Sequence, residues 1–321
     1  MDKFISQTKE ALKNKKRRWK PKGRQVEDVY LNEVSKLFKK TIFKRDELIE
    51  YLHLLQDNFG VLYDKHLVAL SNIINIPLSE IYEVATFYAH FNIIKNSDTY
   101  HPIKVVRVCE SLTCELFGSK KLLDNLKNLE DDNIKVVPGP CMGRCNLAPT
   151  VCVGKNYIDK ANIDDVKNVI NKKLFEPVIE NYISLEEYKK NGGYSISKKI
   201  SENKISNKEI LEALNESGLK GKGGAGFPTG KKWEIVSKYS GKKYIAVNGD
   251  EGEPGTFKDK LYLEQNMHKF FEGMLIAAWA VEAKKIYIYM RDEYPGIRLK
   301  MIDELKKLYE TNIIDKSTKV Y

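Results

Sequence analysis

Four of the five cysteines in this 321-residue chain fall into two pairs, Cys109/Cys114 and Cys141/Cys145, and this pairing restricts the possible folds more than any other feature. The first pair is spaced C-x4-C and follows directly on an apolar run, Ile103 to Val108. The second is spaced C-x3-C within Pro138-Gly-Pro-Cys-Met-Gly-Arg-Cys145. Both lie where a predicted strand or helix gives way to a loop, so four thiolates can turn toward one centre. A [2Fe–2S] cluster takes four thiolates, two on each iron, and two separated pairs suit that demand. The Gly and Pro residues around Cys141 let the backbone approach closely, with its N–H groups free to donate to sulfur. Structural zinc stays open as a second reading, although it favours C-x2-C spacing. A disulfide pair and unconnected buried thiols are further readings, the former at odds with a cytosolic chain. Cys152 alternates with Val151 and Val153 in a predicted strand and reads as a small core residue.

Hydrophobic periodicity divides the rest of the chain. Residues 26–95 read as helical, with apolar residues at three- and four-residue steps, as in Leu48, Leu52, Leu55 and in Leu67, Leu70, Ile73, Ile74. Ser79 is the expected N-cap of the last of these helices, over Ile81 to Tyr88. From residue 103 the pattern alternates strands (103–108, 134–137, 150–153) with helices (119–129, 164–173). Residues 176–206 are polar, contain Pro177 and Gly192-Gly193, and read as a linker with little structure of its own. Helices are expected over 207–217 and 261–283, and strands over 243–247 and 286–290. This is an α/β layer arrangement in a multidomain chain.

Charge and hydropathy narrow the setting. The formal net charge is +10, of which +8 sits in residues 1–24, so the body of the protein is close to neutral. A basic arm could bind nucleic acid, but a solvated, disordered leader is the expected reading of residues 1–25, with no nucleic-acid partner. The best apolar run, Met274 to Val281, falls well short of the ~18 residues of a membrane span and is flanked by Glu272 and Glu282. No signal-peptide core is visible at the N-terminus. The expectation is a cytoplasmic protein without membrane insertion, reaching the inner membrane only through partner subunits.

Two loops in the last third carry further chemistry. Gly218-Leu-Lys-Gly-Lys-Gly-Gly-Ala-Gly-Phe-Pro-Thr-Gly-Lys-Lys-Trp233 places six glycines in sixteen residues. Successive backbone N–H groups in such a loop can cradle a phosphate, and Lys222, Lys231 and Lys232 add positive charge. A flexible linker is the alternative, made less apt by Phe227, Pro228 and Trp233. Asn248-Gly-Asp-Glu-Gly-Glu-Pro-Gly-Thr256 follows a predicted strand and carries three carboxylates. A solvated acidic turn, a cation site and polar recognition of a ribose or flavin edge all remain open for it.

Taken together, the cysteine spacing and the two loops resemble the soluble NADH-oxidising module of complex I. Residues 26–175 resemble its 24-kDa-type protein, a helical segment (26–100) followed by a thioredoxin-like [2Fe–2S] domain (101–175). The motif of that protein matches Cys109, Cys114, Cys141 and Cys145 without a gap. Residues 184–300 resemble the start of the 51-kDa-type flavoprotein, so 207–321 is expected to be the N-terminal part of an FMN/NADH-binding domain. The fusion, with Gly249, Phe257 and Arg291-Asp-Glu-Tyr-Pro295, is most similar to the diaphorase subunit of NAD-linked formate dehydrogenases, and next to hydrogenase diaphorases. The resemblance implies FMN contacts at Gly221, Gly223, Gly224, Ala225, Gly226 and Lys232. It also implies the flavin side of the site at Asn248, Asp250 and Glu251, nicotinamide stacking on Phe227, and Glu253 near the dinucleotide. Gly221-Lys222-Gly223 replaces the usual Gly-Arg-Gly. The family continues beyond the position of Tyr321 with an Ile-Cys-Gly-Glu-Glu segment, so a truncated flavin domain is expected, with a second polypeptide as one way of completing it.

The implied activity is that of an NADH dehydrogenase (diaphorase) subunit moving electrons between NAD(H), FMN and [2Fe–2S], with no general acid or base. Its implied partners are a formate dehydrogenase catalytic subunit, a hydrogenase or the complex I peripheral arm. The rival is a non-catalytic [2Fe–2S] carrier or docking subunit without functional FMN; a zinc-dependent nucleic-acid-binding protein is a third reading.

Overall fold

The computed structural model describes residues 23–38, 43–95, 103–222, 224–315 and 317–321. The leader expected over 1–25 lies outside the described residues except for its last three. The chain divides into two compact units, Met1–Val106 with Leu126–Gly139 and Arg107–Asn125 with Pro140–Tyr321.

In the first unit the helical period is realised as helices Asp28–Leu37, Leu48–Phe59, Asp64–Ile74 and Leu78–Phe87. Their apolar faces meet in one core that includes Val34, Leu52, Leu55, Leu67, Leu70 and Ile81. Each such side chain contributes about 1.5–3 kcal/mol on full burial. Ser79 does not cap the last helix. The helix begins one residue earlier, because the carbonyl of Pro77 already accepts the N–H groups of Glu80 and Ile81 at 3.0 and 3.3 Å. Helix Leu48–Phe59 ends on Gly60, whose left-handed φ of +76° returns its N–H to the Gln56 carbonyl at 2.6 Å. The chain entering the next strand packs on this turn: Ile103 donates its N–H to the Phe59 carbonyl at 2.8 Å. Strands β1 (Leu62–Tyr63) and β2 (Ile93–Ile94) pair in parallel.

A four-stranded sheet follows, built from β3 (Lys104–Cys109), β4 (Ile134–Gly139), β5 (Val151–Val153) and β6 (Asn156–Ile158) in the order β4-β3-β5-β6. These are the strands that the sequence pattern predicts, with β6 added as a short hairpin partner of β5. The division between the compact units passes through β3, between Val106 and Arg107. Helix Ile163–Asn171 is capped by Asn162, whose Oδ1 accepts the Asp165 N–H at 3.0 Å.

The second unit carries an all-parallel sheet of β7 (Lys243–Gly249), β8 (Ala283–Met290) and β9 (Lys319–Val320). Parallel strands require crossovers, and helices supply them. The single helix expected over 261–283 is two, Lys258–Gln265 and Met267–Ala280. They meet at Asn266, whose backbone leaves helical geometry (φ −122°, ψ 41°), in keeping with the tendency of Asn to terminate helices. Helix Pro295–Glu310, absent from the sequence expectations, starts with proline in its first turn and connects β8 to β9.

The expected linker over 176–206 is not bare. It holds helices Leu185–Lys190 and Ser195–Ser201, and buries Leu185 and Tyr194 in the core beside Met267, Phe271 and Ile286. Its anchors are polar as well as apolar: the Tyr188 hydroxyl and the Tyr194 N–H both donate to Glu272 Oε2, at 2.8 and 2.9 Å. The molecule is thus a multidomain α/β protein. Among the described residues no helix is long and apolar enough to cross a membrane.

This packing carries two expectations for stability. A Cβ at Gly60 would fall 1.6 Å from the Ile103 carbonyl oxygen. Gly60→Ala therefore adds a backbone collision to left-handed strain, and should cost about 2 kcal/mol or more in urea denaturation. The second concerns His66 and His268, both buried to 0–1% exposure. Burial pushes both below the ordinary imidazole value, despite the Glu33 and Glu304 carboxylates at 3.0 Å. The unfolded chain then takes up protons near pH 6.5 that the folded chain refuses. The stabilisation is complete above that pH and is lost progressively as pH falls below it. Urea midpoints should drop between pH 7 and pH 5.5, with a shallower drop in His66→Gln and His268→Gln.

Candidate functional site

The four paired cysteines converge. Strand β3 delivers Cys109 at its last position, and the single-turn helix Leu112–Leu116 carries Cys114. Cys141 lies in the loop after β4, and Cys145 opens the short 3-10 turn Cys145–Leu147. All are buried and none is in a disulfide. The sulfurs pair off: Cys141 Sγ and Cys145 Sγ lie 3.3 Å apart, and Cys109 is hydrogen-bonded to Cys114. That bond pulls the Cys114 thiol down to about 7 and pushes the Cys109 thiol up.

Among the described residues, no three of these sulfurs lie within 4.8 Å of one another. A tetrahedral zinc with ~2.3 Å bonds would draw all four sulfurs to within about 4 Å, whereas two pairs set apart suit two irons. Backbone donors surround the sulfurs. Ser111 and Met142 donate to Cys109, and Thr150 donates to Cys114. Gly255 donates its N–H to Cys145 Sγ at 3.2 Å, opposing the rise that burial imposes on that thiol. Such donors stabilise sulfur as thiolate, the form a metal cluster requires. Cys152 has another place: buried on β5, its thiol is pushed up to about 11 by burial and donates to the Gly154 carbonyl at 3.4 Å.

Two half-buried arginines flank this centre. Arg144, between Cys141 and Cys145 in the sequence, forks onto the Asp159 carboxylate, with Glu264 and Glu180 at 3.8 and 3.9 Å. Arg291 follows directly on β8. It donates to the Cys141 carbonyl at 2.6 Å and to the Glu251 carbonyl, with Glu293 at 3.3 Å. In the sequence Arg291 stands out only as part of a motif. Its position at the end of a parallel strand was the available signal.

The acidic loop after β7 reaches the cysteines through Gly255 and Arg291. Its side chains divide: Asn248, Asp250 and Glu253 are exposed, and Glu251 is 2% exposed. The Glu251 carboxylate accepts the N–H groups of Asp259 and Lys260 at 3.0 and 3.2 Å, capping helix Lys258–Gln265 from outside it. Glu251 thus ties the acidic loop to the helix that follows it.

The glycine loop is closed at its base by Gly221 N–H to the Phe227 carbonyl (2.9 Å) and Thr229 N–H to the Leu219 carbonyl (2.8 Å). Gly224 and Gly226 adopt positive φ, +97° and +60°, with open space where a Cβ would stand. Ala225 and Lys232 are exposed, and Phe227 is 46% exposed. Gly223 lies outside the described residues. An open loop of this kind, running directly into helix Thr229–Ser237, fits an anionic phosphate. Among the described residues, no hydrogen bond or ion pair joins the glycine loop to the acidic loop.

Comparison with known proteins gives matches to two regions of the chain. Residues 34–174 match the thioredoxin-like [2Fe-2S] ferredoxin family, and residues 214–320 match the Nuo51 FMN-binding domain. The F-type subunit of the NADH-quinone oxidoreductase of Aquifex aeolicus is 41% identical over 143 residues, covering 44% of this chain and 32% of the relative. Its Escherichia coli counterpart is 38% identical over 135 residues, covering 41% and 30%. The chain spans about a third of the length of the curated relatives it matches. The fold is similar to that of a chain in the crystal structure of an air-oxidised NAD+-reducing [NiFe]-hydrogenase. The TM-score is 0.65 at 21% identity, covering 86% of this chain and 51% of the other.

The cysteine geometry separates the ligand candidates from Cys152. Anaerobic reconstitution should load about two irons and two sulfides per chain. Cys109→Ser, Cys114→Ser, Cys141→Ser and Cys145→Ser should each cut that content and its visible absorption severalfold. Cys152→Ala should leave both unchanged.

Proposed function

We propose that this chain is an NADH dehydrogenase (diaphorase) type iron–sulfur flavoprotein module. It moves electrons between NAD(H), FMN and a [2Fe–2S] centre held by Cys109, Cys114, Cys141 and Cys145. The observation that carries the reading is the bond from Gly255 N–H to Cys145 Sγ, reinforced by Arg291 between the Cys141 and Glu251 carbonyls. Through it, the loop after the first strand of the flavin region touches the candidate cluster ligands directly. A redox relay needs this proximity; a zinc staple has no use for it.

The chemistry supplied by bound FMN is the exchange of a two-electron hydride for single electrons. The chain's own residues bind and orient. The loop of Gly221, Gly223, Gly224, Ala225 and Gly226, with Lys232, holds the phosphate, the Gly221 N–H closing its base on the Phe227 carbonyl. Phe227 offers an exposed ring for stacking on the nicotinamide. Asn248 and Asp250 face the flavin, and Glu253 lies toward the dinucleotide. Glu251 shapes the loop by holding the helix that follows it. No side chain is assigned to proton transfer, because hydride transfer needs none. The partners are other subunits of a cytoplasmic NAD-linked oxidoreductase: a formate dehydrogenase catalytic subunit, a hydrogenase or a complex I peripheral arm.

The openness of the glycine loop around Gly224 and Gly226 favours one second reading, a [2Fe–2S] carrier that holds no FMN. Titrating the cluster-loaded full chain with FMN, and following flavin fluorescence and NADH-dependent bleaching, separates the two. The flavoprotein reading expects saturable one-to-one binding and bleaching by NADH. A loaded cluster with no flavin uptake at any FMN concentration would leave only the carrier.

A further inference from the structure

We propose that Arg291 sets the reduction potential of the centre held by the four cysteines, acting on it from the flavin region's own strand. The inference rests on the two-iron reading and assigns this side chain a positioning and electrostatic role that the cysteine motif does not contain.

The case begins with a contrast between the two arginines beside the centre. Arg144 is matched by Asp159 in a two-bond fork and by two further carboxylates, Glu264 and Glu180, so its charge is cancelled locally. The Arg291 side chain is 7% exposed, and its fork is looser, onto a single carboxylate. Two of its nitrogens go to main-chain carbonyls, those of Cys141 and Glu251. Its carboxylate partner is Glu293, two residues along the chain, at 3.3 Å from both Nε and Nη2. The nearby Glu251 carboxylate is already engaged by the Asp259 and Lys260 N–H groups and by Lys258. A guanidinium does not lose its proton in a protein, so a positive charge, paired with one carboxylate at 3.3 Å, stands closer to the backbone of a candidate ligand, at 2.6 Å, than to its counter-ion.

Reduction of a [2Fe–2S] centre adds one electron and no proton, taking the cluster with its four thiolates from a charge of 2− to 3−. A fixed cation in a poorly solvated setting stabilises the more negative form and raises the potential. Because Arg291 belongs to the segment after β8, and also grips the loop bearing Asn248, Asp250 and Glu253, the poise of the centre depends on the flavin region being in place.

The test is a redox titration of the full chain, monitored by electron paramagnetic resonance, with dithionite as electron source. Wild type is compared with Arg291→Gln, Arg291→Lys and Glu293→Gln. At the wild-type midpoint, Arg291→Gln should hold about tenfold less reduced cluster relative to oxidised, a shift of about −59 mV for a one-electron couple. Arg291→Lys keeps the charge and should stay within about threefold of wild type. Glu293→Gln unmasks the guanidinium and should shift the ratio the opposite way, toward more reduced cluster. Shifts of opposite sign are not expected from a scaffold role. If Arg291→Gln does not fold, the upward shift in Glu293→Gln carries the test. The inference is overturned if the midpoints of the loaded variants stay within twofold of wild type, or if both neutral variants shift the same way. A wild-type chain that takes up no iron or sulfide overturns the two-iron reading itself, a distinct result visible before any titration.

Discussion

Burying four paired thiols, candidates to hold a cluster as thiolates, is the constraint around which the rest of this structure is arranged. An ionised group removed from water is strongly disfavoured unless hydrogen-bond donors replace its hydration. Cys109, Cys114, Cys141 and Cys145 are all buried, and backbone N–H groups from Ser111, Met142, Thr150 and Gly255 are turned toward them. Those donors come from stretches far apart in the chain. The loops must therefore be held in register by the elements behind them.

The holding elements are partly polar. The Arg144 fork with Asp159 fixes the C-x3-C loop against the hairpin after β5, and Glu264 brings in the first crossover helix. Gly143 accommodates the approach of Tyr294: with a φ of +70°, a Cβ there would stand 2.3 Å from the tyrosine hydroxyl oxygen. The parallel order of β7, β8 and β9 places the acidic loop and Arg291 at the same ends of neighbouring strands, where α/β sheets commonly build their sites. The contact between Gly255 and Cys145 is a product of that topology.

Much of this was legible in the chain. Helices in the first third follow a strong apolar period, β3 to β5 follow short β-branched runs, and the ligand candidates announce themselves by spacing. The misreadings have specific causes. Residues 176–206 look like a linker because their anchors, Tyr188 and Tyr194, hydrogen-bond to Glu272, a partner remote in sequence. Ser79 lost the capping position to the carbonyl of Pro77. The expected helix over 261–283 is interrupted at Asn266, within a stretch whose apolar residues continue past the break.

The order of residues dictates which atoms are available: two cysteine pairs at ligand spacing, a glycine loop able to expose its amides, and strands and helices in α/β alternation. These depend on local chain geometry and side-chain chemistry, which a linear string carries. Folding in three dimensions settles the rest: Gly255 donates to Cys145, Arg291 spans Cys141 and Glu251, and Arg144 meets the carboxylate of Asp159. Each of those contacts joins residues roughly 15 to 150 positions apart. Such distances are closed by packing of a whole core, and no local pattern encodes the result.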